Sequence, residues 1–236
     1  MGAAAVQAVL FDFDYTLADS SPGVVDCIQF AFHRMGLPRA PANRIRRTIG
    51  LSVPETLVDL AGERLRCRSD EFRRLFRERA DQVMAANTAV FDTAAPALEW
   101  LREQGVKTGI VSTKFRYRIE SILAREGLSE MVDVIVGGED VEREKPDPAG
   151  LSAAVERLEV APAAALYVGD SLTDAETARR AGVRFVAVLT GTTEAGAFAD
   201  QAVEELLRTL DELPGLVERL SSSGLPAGNR RPGVGE

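Results

Sequence analysis

Hydrophobic positions along this chain follow first a strand pattern, then a long helical one, and then an alternation of the two. Residues 6–11 are an apolar run of strand length, rich in Val, Leu and Phe, that stops at Asp12. Asp19-Ser20-Ser21-Pro22 then offers hydroxyl or acid caps and a proline suited to a first helical turn. Val24, Val25, Ile28 and Phe32 recur at helical spacing until Gly36, a C-terminal stop. From Pro38 to about Asn87 the pattern stays helical. Its one interruption is Thr48–Pro54, where Gly50 and Pro54 require a turn. A longer helix over about 70–86 sets Phe72, Leu75, Phe76, Val83 and Met84 on one side.

Beyond Asp92 the pattern alternates. Helices are predicted over 94–104, 114–126, 149–158 and 173–181, with Gly105 and Gly127 ending the first two. Strands are predicted over 107–111, 132–136, 165–168 and 184–188, and a last helix near 203–220. Nearly wholly apolar strands separated by helices imply a parallel sheet covered on both faces, joined by right-handed crossovers. The expected fold is therefore α/β: a Rossmann-like parallel sheet with an all-helical insertion after its first strand. Residues 1–17 and 91–220 would form the core and 18–90 the insertion. The Ser/Gly/Pro-rich residues 221–236 are expected to be a disordered tail.

A net charge of −8 excludes a broadly basic nucleic-acid surface. The arginines between Arg64 and Arg79 interleave with Glu71 and Glu78, as on the wet face of a helix. No stretch approaches the roughly 18 apolar residues of a membrane span. The N-terminus lacks a basic start and reaches Asp12 too soon for a signal peptide, so the cytoplasm is the expected location, as a monomer or homodimer. Cys27 and Cys67 form no CxxC pair and have no histidine cluster beside them, which excludes a zinc or disulfide framework and leaves buried thiols as the expectation. His33 is expected to be structural and Trp100 to be core.

The acids that close the first strand change this picture. Asp12 and Asp14 lie two residues apart, on one side of a strand, and like charges that close repel unless a cation or proton sits between them. In open parallel sheets ligands bind beyond the carboxyl ends of the strands. The other strand ends deliver Ser112-Thr113-Lys114, then Gly137-Gly138-Glu139-Asp140 followed by Lys145-Pro146, and Gly169-Asp170-Ser171-Leu172-Thr173-Asp174. Carboxylates, hydroxyls and a lysine at one edge suit phosphoryl chemistry, with oxygen ligands for magnesium and donors for phosphate oxygens. Asp170 and Asp174 equally suit the acidic first turn of a helix, and Ser112 a cap for the helix at Lys114.

Asp12-x-Asp14-x-Thr16-Leu17, Ser112, Lys145-Pro146 and Gly169-Asp170-x-x-x-Asp174 resemble, in order and spacing, the four motifs of the haloacid dehalogenase superfamily. The match spans about residues 6–215. The helical insertion resembles that family's small first-class cap, and the nearest group is the phosphoglycolate-phosphatase-like enzymes. The resemblance implies that Asp12 is the nucleophile and that Asp14 is the general acid and then base. Magnesium would be bound by Asp12, Asp14 (through its carbonyl) and Asp170, with Asp174 as ligand or support. Lys145 would neutralise charge, and substrate contacts would come from Thr16, Ser112, Thr113, Lys145 and Gly50, the last in a loop that governs specificity. Arg46 or Arg47 could approach an anionic substrate. The segments 18–21 and 87–93 would be cap hinges. Tyr15 departs from the family pattern, which most often has glycine there. The implied function is a magnesium-dependent phosphatase acting on a small phosphorylated metabolite through an aspartyl-phosphate. A pyrophosphatase, a sugar phosphomutase and a regulatory or binding protein on the same scaffold are the alternatives. The intact acids and Lys145 speak against the last.

Overall fold

A computed structural model describes residues 5–222. Residues 223–236, most of the expected tail, lie outside the described residues, and Ser221 and Ser222 are helical rather than disordered. The chain runs β1 (Ala8–Phe11), β2 (Ala18–Asp19), α1 (Ser21–Arg34), α2 (Ala42–Arg46), α3 (Val53–Ala61), α4 (Ser69–Val83) and β3 (Ala89–Val90). It continues through α5 (Ala94–Glu103), β4 (Lys107–Val111), α6 (Arg116–Glu126), β5 (Val134–Val136), α7 (Ala149–Arg157) and β6 (Ala165–Gly169). It ends with α8 (Leu172–Ala181), β7 (Arg184–Val188), β8 (Glu205–Leu207) and α9 (Leu213–Ser222).

Among the described residues, six strands form one parallel sheet in the order β5-β4-β1-β6-β7-β8. The chain steps from β1 to β4 and β5 on one side, then returns across β1 to β6, β7 and β8 on the other. β1 therefore lies at the switch point, where the connections on its two sides diverge and leave a crevice at the carboxyl edge. Alternation along the strands supplies both faces. Val9, Phe11, Leu166 and Val168 pack with α5, α6 and α9, whereas Ala8, Leu10, Ala165 and Tyr167 pack with α7 and α8. The nearly unbroken apolar strands of the sequence are thus the mark of a sheet buried on both sides.

Helices α1–α4 bury a separate cluster that includes Cys27, Ile28, Phe32, Ile45, Leu57, Phe72 and Leu75. Phe32 and Phe72 meet edge to face with centroids 5.8 Å apart. The two chain passages between this layer and the sheet lie side by side, since β2 pairs antiparallel with β3, Ala18 opposite Val90 and Asp19 opposite Ala89.

Four local expectations are corrected. The last helix, expected near 203–220, is instead the edge strand β8 followed by α9. Only Leu207 of β8 is buried, so three residues carry too little alternation to register as a strand. Residues 63–68 form a 3-10 turn with no buried residue, which leaves Cys67 exposed. Helix α6 begins at Arg116 with Phe115 at its cap, not at Lys114, so Ser112 is not its cap. The arginines of 64–79 are largely solvated and paired with acids, Arg66 with Glu63 and Arg68 with Glu71 among them, but Arg73 and Arg77 reach a cavity wall.

Leu10 is fully buried in the central strand. Leu10→Ala is expected to lower unfolding free energy by about 2–5 kcal/mol, through lost burial and the cavity left behind, as read from the midpoint of urea denaturation.

Candidate active site

β1 delivers Asp12 to the carboxyl edge, where its backbone N–H still reaches Val168 O of the neighbouring strand at 2.9 Å. Its Oδ1 accepts from the N–H of Phe13 at 2.7 Å and faces Lys145 Nζ at 3.0 Å. Lys145 is the hub. Its ammonium donates to Asp174 Oδ1 at 2.6 Å and to the Tyr167 hydroxyl at 3.1 Å, and all of these groups are buried. The Tyr167 hydroxyl also lies 2.8 Å from Val111 O, so β4, β6, α8 and the Lys145 loop meet at one lysine.

Asp174 answers the choice between cap and site by serving both. Its Oδ2 accepts from the Ser171 hydroxyl at 2.5 Å and its N–H donates to Ser171 Oγ at 3.2 Å, a reciprocal cap on α8. Its Oδ1 is left for Lys145. Glycine permits this closeness: a Cβ on Gly169 would stand 2.6 Å from Asp174 Cβ, and one on Gly191 would stand 1.9 Å from Asp170 Oδ2.

Carboxylate oxygens of Asp12, Asp170 and Asp174 lie within 4.8 Å of one another. Burial pushes Asp12 up to about 6; Lys145 opposes this, Asp174 and Asp14 add to it, and a hydrogen bond from Ser112 lowers it. Burial likewise raises Asp170 well above the usual carboxylate range, with Asp174 and Asp12 adding to it. Burial works against the charge on Lys145, yet Asp12 and Asp174 outweigh it and hold the lysine protonated. One buried cation thus faces three buried acids, and the set of hard oxygen ligands fits a divalent magnesium ion.

Asp14 stands apart from this cluster. Its Oδ1 accepts from the Ser20 hydroxyl at 2.6 Å and pairs with the buried Lys114 Nζ at 3.0 Å, and it lines a cavity of about 620 Å³ between the helical layer and the sheet edge. Thr113, Lys145 and Gly50 line the same cavity. Gly50 has φ +94°, a left-handed conformation that glycine takes without strain. Thr16 is fully buried with its hydroxyl unpaired and is not on that wall. Arg46 and Arg47 are exposed and do not line it either, and His33 is exposed at the end of α1. Trp100 packs partly buried against the core. Tyr15 has φ +62°, which accounts for a position where glycine is at home.

Sequence reasoning missed Tyr167, Lys114, Ser20 and Gly191. A polar-tipped ring inside the apolar strand Ala165–Gly169 was a usable signal for Tyr167. Ser20 was legible as a helix cap and part of a hinge but not as a partner of Asp14, and nothing local marks Gly191.

The shift at Asp12 has a consequence for stability. An unfolded aspartate titrates near roughly 4, whereas folded Asp12 titrates at about 6. Between these values the folded chain binds the proton more tightly, so stability falls as pH rises and the full penalty stands above pH 6. In EDTA, Asp12→Asn is therefore expected to melt higher than the wild type at pH 8, with the gap closing as pH falls through 6 toward 4. Equal differences at both ends in thermal melts would contradict this.

Comparison with known proteins agrees with this geometry. Residues 9–188 match the model of the haloacid dehalogenase-like hydrolases. A phosphoglycolate phosphatase of Cupriavidus necator is 30% identical over 213 residues, covering 89% of this chain and 92% of that one. One from Pectobacterium atrosepticum is 31% identical over 191 residues, covering 79% and 82%. A crystal structure of a haloacid dehalogenase-like hydrolase from Bacteroides fragilis superposes with a TM-score of 0.85 at 42% identity, over 88% of this chain and 99% of that one. Fold, carboxylate cluster and family match converge, and the chain belongs to the haloacid dehalogenase-like hydrolase family.

Proposed function

We propose that this protein is a magnesium-dependent phosphatase that hydrolyses a phosphomonoester of a small metabolite through an aspartyl-phosphate on Asp12. The observation that carries this reading is Asp12 held against Lys145 at the switch-point strand, with Asp14 close by on a cavity wall. Relatives named phosphoglycolate phosphatase support the same chemistry.

Asp12 attacks phosphorus, forming a P–O bond to its carboxylate as the ester P–O bond breaks. Asp14 gives its proton to the leaving alkoxide, then takes one from the water that cleaves the aspartyl-phosphate and restores Asp12. Lys145, fixed by Asp174 and Tyr167, neutralises charge on Asp12 and the phosphoryl oxygens. Ser112 and Thr113 donate to those oxygens. Asp12, Asp170 and the carbonyl of Asp14 would hold magnesium, which supplies positive charge to the phosphoryl group. With both carboxylate oxygens of Asp174 engaged by Lys145, Tyr167 and Ser171, its part is to hold the lysine and steady the site. Residues 18–90 act as a cap on the core of 1–17 and 91–220, and the paired β2 and β3 are the hinge through which it closes and excludes water.

Hydrolysis of p-nitrophenyl phosphate is expected only with magnesium. Asp12→Asn should abolish it, and Asp14→Asn should lower kcat by roughly 10²–10⁴-fold. Mass spectrometry of a rapidly quenched turnover should find one phosphate on the peptide containing Asp12. Failure to hydrolyse any of a panel of phosphorylated metabolites, with Asp12→Asn indistinguishable from wild type, would reject the reading. Cleavage of pyrophosphate alone, or a need for a sugar bisphosphate, would turn it toward the pyrophosphatase or mutase alternative.

A further inference from the structure

The cavity beside Asp14 is far larger than a two-carbon phosphoester requires. Its volume of about 620 Å³ falls in the range of roughly 300–1,000 Å³ that accommodates ligands of drug size. It is not the gap of a splayed molecule. Helix α4 is tied to α6 across it, with Arg118 Nη2 donating to Asp81 Oδ1 at 2.6 Å and the Tyr117 hydroxyl donating to the same carboxylate.

The chemistry of the wall is uneven. The phosphate end carries Thr113, Lys114 and Lys145. The helical layer presents Ile49, Leu51, Val53 and Phe76 beside Arg73 and Arg77, and Phe115 adds a half-buried ring from the sheet side. Leu51 is 38% exposed, although it belongs to the loop that carries Gly50 and lines the cavity. A ligand carboxylate would find no cation on that loop, since Arg46 and Arg47 are not on the wall. Elsewhere on the wall, Arg77 lies over the Phe115 ring, 4.5 Å from its centroid, and Arg73, Arg118 and Arg143 are paired with Asp70, Asp81 and Asp147.

The geometry points to a substrate whose alcohol portion is a bulky, mainly apolar group, an alkyl chain of several carbons or an arylalkyl body, in place of a glycolate. This inference rests on the phosphatase reading and specifies its substrate class. The phosphate sits at Lys145 and Asp12, and the apolar body lies along Leu51, Val53 and Phe76.

The test uses full-length protein with magnesium and four esters of similar leaving-group basicity: ethyl, hexyl and 2-phenylethyl phosphate, and 2-phosphoglycolate. Each buried methylene contributes a factor on the order of four, so kcat/KM should rise at least about 50-fold from ethyl to hexyl phosphate. Leu51→Asp, a change at an exposed position, should flatten that slope chiefly through KM. A flat series, or 2-phosphoglycolate as the best ester, overturns the inference while leaving the phosphatase reading intact. Absence of turnover with every one of these esters, with p-nitrophenyl phosphate and with the metabolite panel sinks the phosphatase reading instead. Calorimetric titration of Asp12→Asn protein then decides the apolar site by itself: hexyl phosphate bound more tightly than ethyl phosphate supports it, and equal binding overturns it.

Discussion

Three carboxylates and one ammonium, all withdrawn from water, set the terms for the rest of this molecule. Burial penalises each charge, and acids gathered within 4.8 Å penalise one another. Such a cluster persists only where surrounding structure leaves it no alternative. The parallel sheet does this by directing β1, β4 and β6 to one edge, so that Asp12, Ser112 and Asp170 arrive together without any loop of their own. Gly169 and Gly191 then let backbone close on Asp174 and Asp170 where any side chain would collide. The raised Asp12 and Asp170 are the residual cost, and a divalent cation is the natural means of offsetting it.

What could be read in the sequence follows from where information is local. Fully buried parallel strands are long apolar runs, and the first polar residue after each run marks its carboxyl end. Asp12, Ser112 and Asp170 were legible for that reason, and Lys145 through the motif that surrounds it. The helical layer was legible from its 3.6-residue period and from Gly36 and Gly50. Partnerships made only in three dimensions were not. Lys114 is a residue after a strand until the fold sets its Nζ 3.0 Å from Asp14. Tyr167 is a strand aromatic until its hydroxyl meets Lys145. β8 escaped because an edge strand with one buried residue has no period to detect.

The helical layer and the reaction edge are chemically distinct, and the cavity between them inherits both characters. α1 and α4 pack through Phe32 and Phe72 into a cluster that shares nothing with the sheet's own core. Contact with the sheet includes Ala85 against its core and polar links from Asp81 to Arg118 and Tyr117 and from Arg125 to the carbonyls of Ala85 and Thr88. Asp81 and Arg125 are exposed, and polar contacts to exposed partners are individually weak. The layer thus keeps a core of its own and meets the sheet through two short paired strands and a largely polar rim.

Tyr15 stands at the join of these parts. Its φ of +62° places a β-carbon in the left-handed region, at a cost of roughly 1–2 kcal/mol. Its N–H donates to Ala18 O at 2.7 Å and its carbonyl accepts from the Thr190 hydroxyl, so the turn is fixed from both sides. The ring is buried, with burial raising the hydroxyl and Ser21 hydrogen-bonded to it, while Asp19, Arg46 and Asp170 act on it from the helical layer and the site. A glycine would remove the strain and with it the buried ring that meets Ser21. The apolar area of a buried tyrosine outweighs that strain. The departure from glycine is therefore a trade, in which backbone comfort after Asp14 is given up for a buried ring hydrogen-bonded to the first turn of α1.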